Sequence, residues 1–252
     1  MRVRVSAVVN LFCACALAVA AVARAQDQPA ATSAPAETTK KATGTKVLGR
    51  HTAAAPAPVD AVVKSIDAQI AKLGVDKKDP AWKTKLKLPT VAKFDPAKSY
   101  YARMGTNKGV MLIKLKPDVA PMHVTNFIYL ARMGFFDGLK FHRVIKGFMA
   151  QGGDPKGDGT GGPGYQFGAE ISPKALHNAP GVVSTANAGP GTDGSQFFIM
   201  FAPYPSLDGN YSIFGQVDQG LETLKAMEAV GNPHDGPPTE PLWITKVTIE
   251  VR

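Results

Sequence analysis

The chain is expected to be mainly β, a barrel or a sandwich, on three observations. Short apolar runs of strand character recur between 110 and 251. Only two segments in that half carry a helical period, so strands and helices do not alternate as they do in βαβ chains. Of the 25 glycines, 22 fall within 100–252, as expected where many short strands are joined by tight turns.

The chain opens differently. Arg2 and Arg4 precede an apolar, Ala-rich run over 5–23, and Ala23-Arg24-Ala25 stands before Gln26. This is the layout of a secretory signal peptide over 1–25. Ala18-Val19-Ala20 and Ala21-Val22-Ala23 are competing cleavage sites, and an uncleaved anchor is the alternative, because the run comes close to spanning length. Export to a periplasm or to the medium is the expectation. Both cysteines, Cys13 and Cys15, lie in this leader, and Phe12-Cys13-Ala14-Cys15 makes a poor lipobox. Cleavage would leave no thiol, which excludes disulfides, thiol chemistry and thiolate metal sites.

Residues 26–58 are Ala, Pro, Thr and Lys with almost no large apolar side chain. They cannot bury enough surface to offset ordering entropy and are expected to form a disordered linker. From 59 the pattern changes. Val59, Val62, Val63, Ile66, Ile70 and Leu73 recur at helical spacing and Gly74 supplies a stop, which predicts one amphipathic helix over 59–73. A lone helix of that length is marginal in water, so it must pack on the main domain, on a second copy or on a partner. Residues 75–98, with Trp82 among lysines and prolines, read as irregular. The formal charge of +9 falls to +6 when Arg2, Arg4 and Arg24 leave, and all of it sits on residues 26–99, with 13 Lys+Arg against 7 Asp+Glu. Residues 100–252 hold 13 of each. A basic extension over 59–96 either solubilises or seeks an anionic envelope surface, whereas export argues against nucleic acid.

The main domain is expected over 97–252. Residues 110–115 read as a strand between Gly109 and Lys116-Pro117. Pro121 opens a helix with Val124, Phe127, Ile128 and Ala131 on one face, and Gly134 closes it. Residues 141–145, 182–186, 196–200, 212–217 and 244–251 are further strand candidates, and a second helix spans about 221–230 before Gly231.

Two segments carry the chemistry. Residues 141–153 read FHRVIKGFMAQGG, and 184–201 read STANAGPGTDGSQFFIMF. The first sets one guanidinium, Arg143, beside Phe148, Met149 and Gln151. The second sets Asn187 and Gln196 beside Ala186 and Phe198. Together they describe an apolar pocket with one charge and a few amides, suited to a small apolar group flanked by peptide bonds. Competing sites are weak. Gly157 to Gly162 fits G-x-G-x-x-G, but Pro163-Gly164 follows where a phosphate-binding helix would begin. His51, His123, His142, His177 and His234 lack metal-ligand spacing, and Ser195 lacks the second glycine of a nucleophile elbow.

These two motifs resemble those of the cyclophilin-type peptidyl-prolyl cis-trans isomerases. So do TNKGVMLIKLKPDVAPMHVTNFIYLA at 106–131, GDGTGGPGYQF at 157–167, LDGNYSIFGQV at 207–217 and WITKVTIEV at 243–251. The resemblance covers about 97–252 and implies a closed eight-stranded antiparallel barrel capped by two helices. It implies prolyl isomerisation without a cofactor or metal, with X-Pro segments of other exported proteins as partners. Arg143, Gln151 and Phe198 match catalytic positions. Phe148, Met149 and Leu207 match the proline pocket. Asn187 and Ala186 match substrate-binding positions, with Gln196 a weaker match, and His142 is expected to be structural or at the rim. Ser206 stands where the best-known members have a tryptophan, and Tyr211 where they have a histidine, a pattern resembling bacterial exported members. Tyr211 keeps an apolar wall with a polar tip. Ser206 removes the indole that contacts the macrocycle cyclosporin in the family. The alternative function is a non-catalytic module that grips proline-containing segments as a chaperone or docking site.

Overall fold

The computed structural model describes residues 60–252, so the expected leader and linker lie outside the described residues. Eight strands form one antiparallel sheet: β1 (Tyr100–Thr106), β2 (Gly109–Leu115), β3 (Arg143–Ile145), β4 (Met149–Gly152), β5 (Val182–Thr185), β6 (Phe197–Met200), β7 (Ile213–Gln219) and β8 (Ile244–Val251). Their order across the sheet is β3-β4-β6-β5-β7-β2-β1-β8. Among the described residues three α-helices accompany them: α1 (Ala61–Ala71), α2 (Pro121–Arg132) and α3 (Leu221–Ala229).

The expectation of a closed barrel is corrected. The sheet curls into a half-barrel whose edge strands β3 and β8 share no ladder. The gap is crossed beside β3 and at the start of β8, by the bridge Lys140↔Trp243, by Phe141 N–H to Leu242 O (2.9 Å) and by Ile244 N–H to Leu139 O (2.8 Å). Two local causes stand out. β3 has only 3 residues. The segment that would continue pairing before β8 contains Pro237, Pro238 and Pro241, which cannot donate to a ladder.

β1 and β4 are strands that residue-type patterning does not reveal. β1 reads YYARMGT and β4 reads MAQG, with small, charged and glycine residues of poor strand propensity. Pairing on both sides makes them strands: β1 lies between β2 and β8, and β4 between β3 and β6.

The core fills the concave side. Phe127 on α2 stacks on Phe136 with ring centroids 4.8 Å apart, and Phe197 on β6 meets both edge-on at 5.7 Å. α2 starts at Pro121, where a missing N–H costs nothing, and Gly134 follows its end at φ 69°. It is buried on all sides from His123 to Ala131, more than its single apolar face predicts. The reason is the segment before β1. α1 lays Val62 and Ile66 into the main core, and Arg132 on α2 clasps Asp67 on α1 with two hydrogen bonds of 2.7 and 2.8 Å. Asp60 caps α1 by accepting from the Val62 N–H at 2.8 Å. Further along, the Tyr129 hydroxyl donates to Lys87 O (3.0 Å), and Ala92 N–H donates to the Thr125 hydroxyl (3.0 Å). The helix at 61–71 therefore takes the first of its three options and packs on the main domain.

Candidate active site

In a strand, neighbouring side chains point to opposite faces. Along β6, Phe197 and Ile199 join the main core, while Phe198 and Met200 join a second apolar cluster on the other face. Along β4, Ala150 faces the core and Met149 the second cluster. Strand register then assembles a row: Arg143 on β3 pairs with Gln151 on β4, Gln151 with Phe198 on β6, and Phe198 with Ser184 on β5. Adjacent members lie one strand spacing apart, about 5 Å.

Above this row is a cavity of about 130 Å³. Phe148, Met149, Phe198, Leu207 and Tyr211 supply its apolar wall, and Arg143, Gln151, Ala186 and Asn187 its polar side. Phe148 rests on Tyr204 (ring centroids 4.4 Å apart), and Phe198 has Tyr211 edge-on at 5.4 Å and His177 nearly parallel at 6.0 Å.

Arg143 is fixed by a residue that the motif does not contain. Its Nε and Nη2 donate to the two carboxylate oxygens of Asp235 at 2.6 and 3.0 Å, and its Nη1 donates to Gln151 Oε1 at 3.3 Å. A guanidinium has five N–H bonds, so these contacts leave about two for a ligand in the cavity. The Arg143 hydrogen bond, opposed by partial burial, holds the Asp235 carboxyl below its ordinary range. Gln151 in turn donates to Gln196 Oε1 at 3.0 Å, and Gln196 Nε2 donates to the carbonyls of Gly159 and Gly161, both at 2.9 Å. The guanidinium is thus the end of a chain of oriented amides. Gly153 lets β4 run this close to β6: its φ is +81°, and a Cβ there would overlap the Ser195 carbonyl oxygen.

Asn187 lines the cavity, but its side-chain amide is turned to the protein. Its Nδ2 donates to Asp193 Oδ1 at 2.9 Å and its Oδ1 accepts from Gly189 N–H at 3.2 Å. Asp193 is fully buried, and its other carboxylate oxygen meets His123 Nε2 at 3.2 Å. His123 Nδ1 lies 2.7 Å from Glu170, whose carboxylate also accepts the N–H groups of Met122 and His123 at the start of α2. Burial opposes a charge on His123, but the hydrogen bonds and fields of Asp193 and Glu170 outweigh it and raise its pKa above the ordinary 6.5. A histidine with a raised native pKa contributes stability that is complete below its unfolded pKa and is lost as pH rises through the native one. The melting temperature should therefore fall as the pH is raised above the ordinary histidine range, and His123→Gln should flatten that slope. A wild-type slope unchanged in the variant would assign the effect to other groups.

Two expected residues stand elsewhere. His142 is absent from the cavity lining. Both of its ring nitrogens are buried and unpartnered among the described residues, its ring lies beside Gly159, and burial lowers its pKa. Gln196 lines a neighbouring pocket and reaches the cavity through Gln151. Asp235 is a site residue that no motif announces, because it lies 92 positions from Arg143 in an exposed turn. Asp193 stood inside a quoted motif, but its burial under α2 needed the fold.

The description "Cyclophilin type peptidyl-prolyl cis-trans isomerase/CLD" belongs to the family model that matches residues 101–249. Peptidyl-prolyl cis-trans isomerase B of Streptomyces anulatus is 42% identical over 174 residues, covering 62% of this chain and 99% of that protein. A peptidyl-prolyl cis-trans isomerase of Helicobacter pylori is 47% identical over 130 residues, covering 51% of this chain and 80% of that one. Among solved structures, a Cryptosporidium parvum cyclophilin type isomerase crystallised in the presence of the dipeptide Ala-Pro superposes with a TM-score of 0.57 at 37% identity, covering 60% of this chain and 98% of that one. The half-barrel, the cavity on its outer face and the matched length agree, and the chain belongs to the cyclophilin-type peptidyl-prolyl cis-trans isomerases.

Proposed function

We propose that this chain isomerises X-Pro bonds of exported proteins by non-covalent electrostatic catalysis at Arg143. The barrier, about 20 kcal/mol, comes from amide resonance. In the twisted transition state that resonance is lost, and the proline nitrogen becomes pyramidal with a free lone pair. A donor held beside that nitrogen stabilises the twisted form over both planar ground states, which is differential binding with no intermediate. One observation carries this reading: a guanidinium fixed on one side by a bidentate carboxylate and on the other by an amide, at the edge of an apolar cavity. A donor so held needs little reorganisation when the lone pair develops. The cavity wall of Phe148, Met149, Phe198, Leu207 and Tyr211 suits a proline ring, and Ala186 and Asn187 border it where a peptide backbone would pass. The Ala-Pro dipeptide used with the Cryptosporidium protein is the minimal ligand of that kind. The test is isomerisation of an X-Pro peptide by the purified chain beginning at Gln26. Binding without rate enhancement would move the chain to the docking-module alternative.

The place of action rests on the leader pattern. Amino-terminal sequencing of the protein recovered from cell fractions tests it, with Gln26 as the expected first residue outside the cytoplasm. Contact of the basic extension with an anionic envelope surface would rest on lysines not already engaged. Lys77 and Lys83 donate to the carbonyls of Met133 and Asp137, and Lys85 and Lys98 pair with Asp79 and Asp60, so part of that charge serves the fold. Inhibition gives a separate prediction. Ser206 is exposed on the turn before Leu207, so it adds no wall to the cavity rim. Cyclosporin should bind weakly, and Ser206→Trp should tighten it about tenfold, roughly 1.4 kcal/mol. Tight binding by the native chain would show that another residue supplies the contact.

A further inference from the structure

Asn187 borders the proline cavity, and its own backbone N–H and carbonyl take no partner among the described residues. Those two groups are what a passing peptide can pair with. Their position is set from behind. The Asn187 side chain donates to Asp193 Oδ1 at 2.9 Å, with a longer contact to Asn210 O at 3.4 Å. Asp193 is clamped to Phe167 by two backbone bonds of 3.0 and 3.2 Å. Its second carboxylate oxygen ends on His123 Nε2, and Glu170 takes the other ring nitrogen. A line of side chains, Glu170, His123, Asp193 and Asn187, thus runs from the start of α2 to the cavity wall.

The middle of the line is closed to solvent: His123 is 1% exposed and Asp193 0%. Glu170, from the loop before β5, and Asp193, from the loop before β6, are the charged groups that face the ring. Phe167 covers it, with ring centroids 4.8 Å apart. On α2 itself, Arg132 is engaged by Asp67, and Asn126 accepts from the Tyr165 hydroxyl, which burial keeps neutral by pushing its pKa far up. With both ring nitrogens protonated, each carboxylate receives a donor, whereas a neutral ring has one N–H left. That proton stays towards Glu170, the closer partner at 2.7 Å, which also holds the N–H groups of Met122 and His123. A lone pair then faces the Asp193 carboxylate across 3.2 Å. A buried charge stripped of its partner is costly, so Asp193 must turn, and Asn187 loses its anchor.

We propose that His123 and Asp193 are positioning residues of the isomerase site: the buried pair holds Asn187 at the cavity wall, and raising the pH releases it and weakens peptide binding. The proposal rests on the proline cavity being the isomerisation site. Burial opposes the charge on His123 but the two carboxylates outweigh it, so the pair is intact through the ordinary histidine range and is lost as pH rises beyond it. The response belongs to binding and not to chemistry, since isomerisation moves no proton and Arg143 stays charged.

The experiment follows KM and kcat for one X-Pro peptide across pH, using the chain from Gln26. In wild type, KM should rise about three- to tenfold as the pH is raised above the ordinary histidine range, the effect of one hydrogen bond to a peptide group. The rate constant kcat should change little, because Arg143 is held separately by Asp235 and Gln151. His123→Gln should hold KM at the raised value at every pH, and so should Asp193→Ala, which removes the acceptor for Asn187. Asp193→Asn keeps an acceptor and offers a neutral ring a donor, so its KM should be the lower of the two Asp193 variants and show no step. In NMR of the wild type, the Asn187 side-chain amide signal should move with the same midpoint as KM. Thermal melts check that each variant is folded at the assay temperature. A wild-type KM that stays flat, or an Asn187 signal that does not move with it, would overturn the proposal while leaving the isomerase reading intact. A step that persists in folded His123→Gln would also overturn it, assigning the response to another group such as His177, which Asp208 and Ser184 hold behind Phe198. A wild type that does not turn the peptide over at any pH would remove the isomerase reading, and the proposal with it.

Discussion

Arg143→Ala should lower the isomerisation rate by about 10- to 100-fold while the protein stays folded, which corresponds to about 1.4–2.7 kcal/mol of transition-state stabilisation. That is a plausible share for one charge-assisted hydrogen bond. The fold should survive, because the side chain is a third exposed and its partner Asp235 is two-thirds exposed, and pairs of this kind contribute only about 0–1 kcal/mol. Arg143→Lys should also fail substantially. An ammonium cannot hold both Asp235 oxygens and Gln151 at once and still face the cavity. Peptide affinity should suffer less than rate, since the apolar wall is untouched. Asp235→Asn gives a finer test. It should slow turnover by a few-fold with KM little changed, because the carboxylate touches the guanidinium and not the cavity. Exchange NMR measures the catalysed rate and titration the affinity, so the two effects separate. Near-native turnover by folded Arg143→Ala would refute the assigned mechanism.

The second large effect separates two adjacent phenylalanines. Phe197→Ala should destabilise the protein by about 3–5 kcal/mol, because it leaves a hole among Phe127, Phe136 and Phe141 that close-packed neighbours cannot fill. For a chain of this size the melting temperature should drop by roughly 10 °C or more. Peptide binding by the fraction still folded should change little. Phe198→Ala should do the reverse in emphasis. Its ring is 5% exposed and lines the cavity, so truncation should weaken peptide binding by about tenfold or more, with a smaller loss of stability. Thermal melts and peptide titrations on both variants decide the matter. If Phe197→Ala were the one that lost binding, the face assignment along β6 would be inverted.

That pair also shows what sequence can convey. Alternation along a strand is a local property of the backbone, so Phe197-Phe198 announces one core and one outward ring before any fold is known. The motifs likewise name Arg143, Gln151 and the apolar wall, because these residues sit in three contiguous runs, 141–153, 184–201 and 207–217. β1 and β4 were invisible for the converse reason: their strand character comes from neighbours on both sides and not from their own residues.

By itself, then, the sequence determined the mainly β class, the position of the helices, the family and the residues that line the cavity. Each of these is encoded within runs of a few to a few tens of residues. The tertiary structure alone decided the rest. It left the sheet open between β3 and β8, where prolines and a strand of 3 residues cannot sustain a ladder. It brought Asp235 to Arg143 across 92 positions and set His123 between Glu170 and Asp193. It also settled the basic segment against α2 and the Gly-rich loop, so that Thr84 borders the neighbouring pocket that Gln196 lines. Such contacts depend on where the chain closes its long loops, and that is fixed by the sum of packing over the whole domain and not by any one stretch of residues.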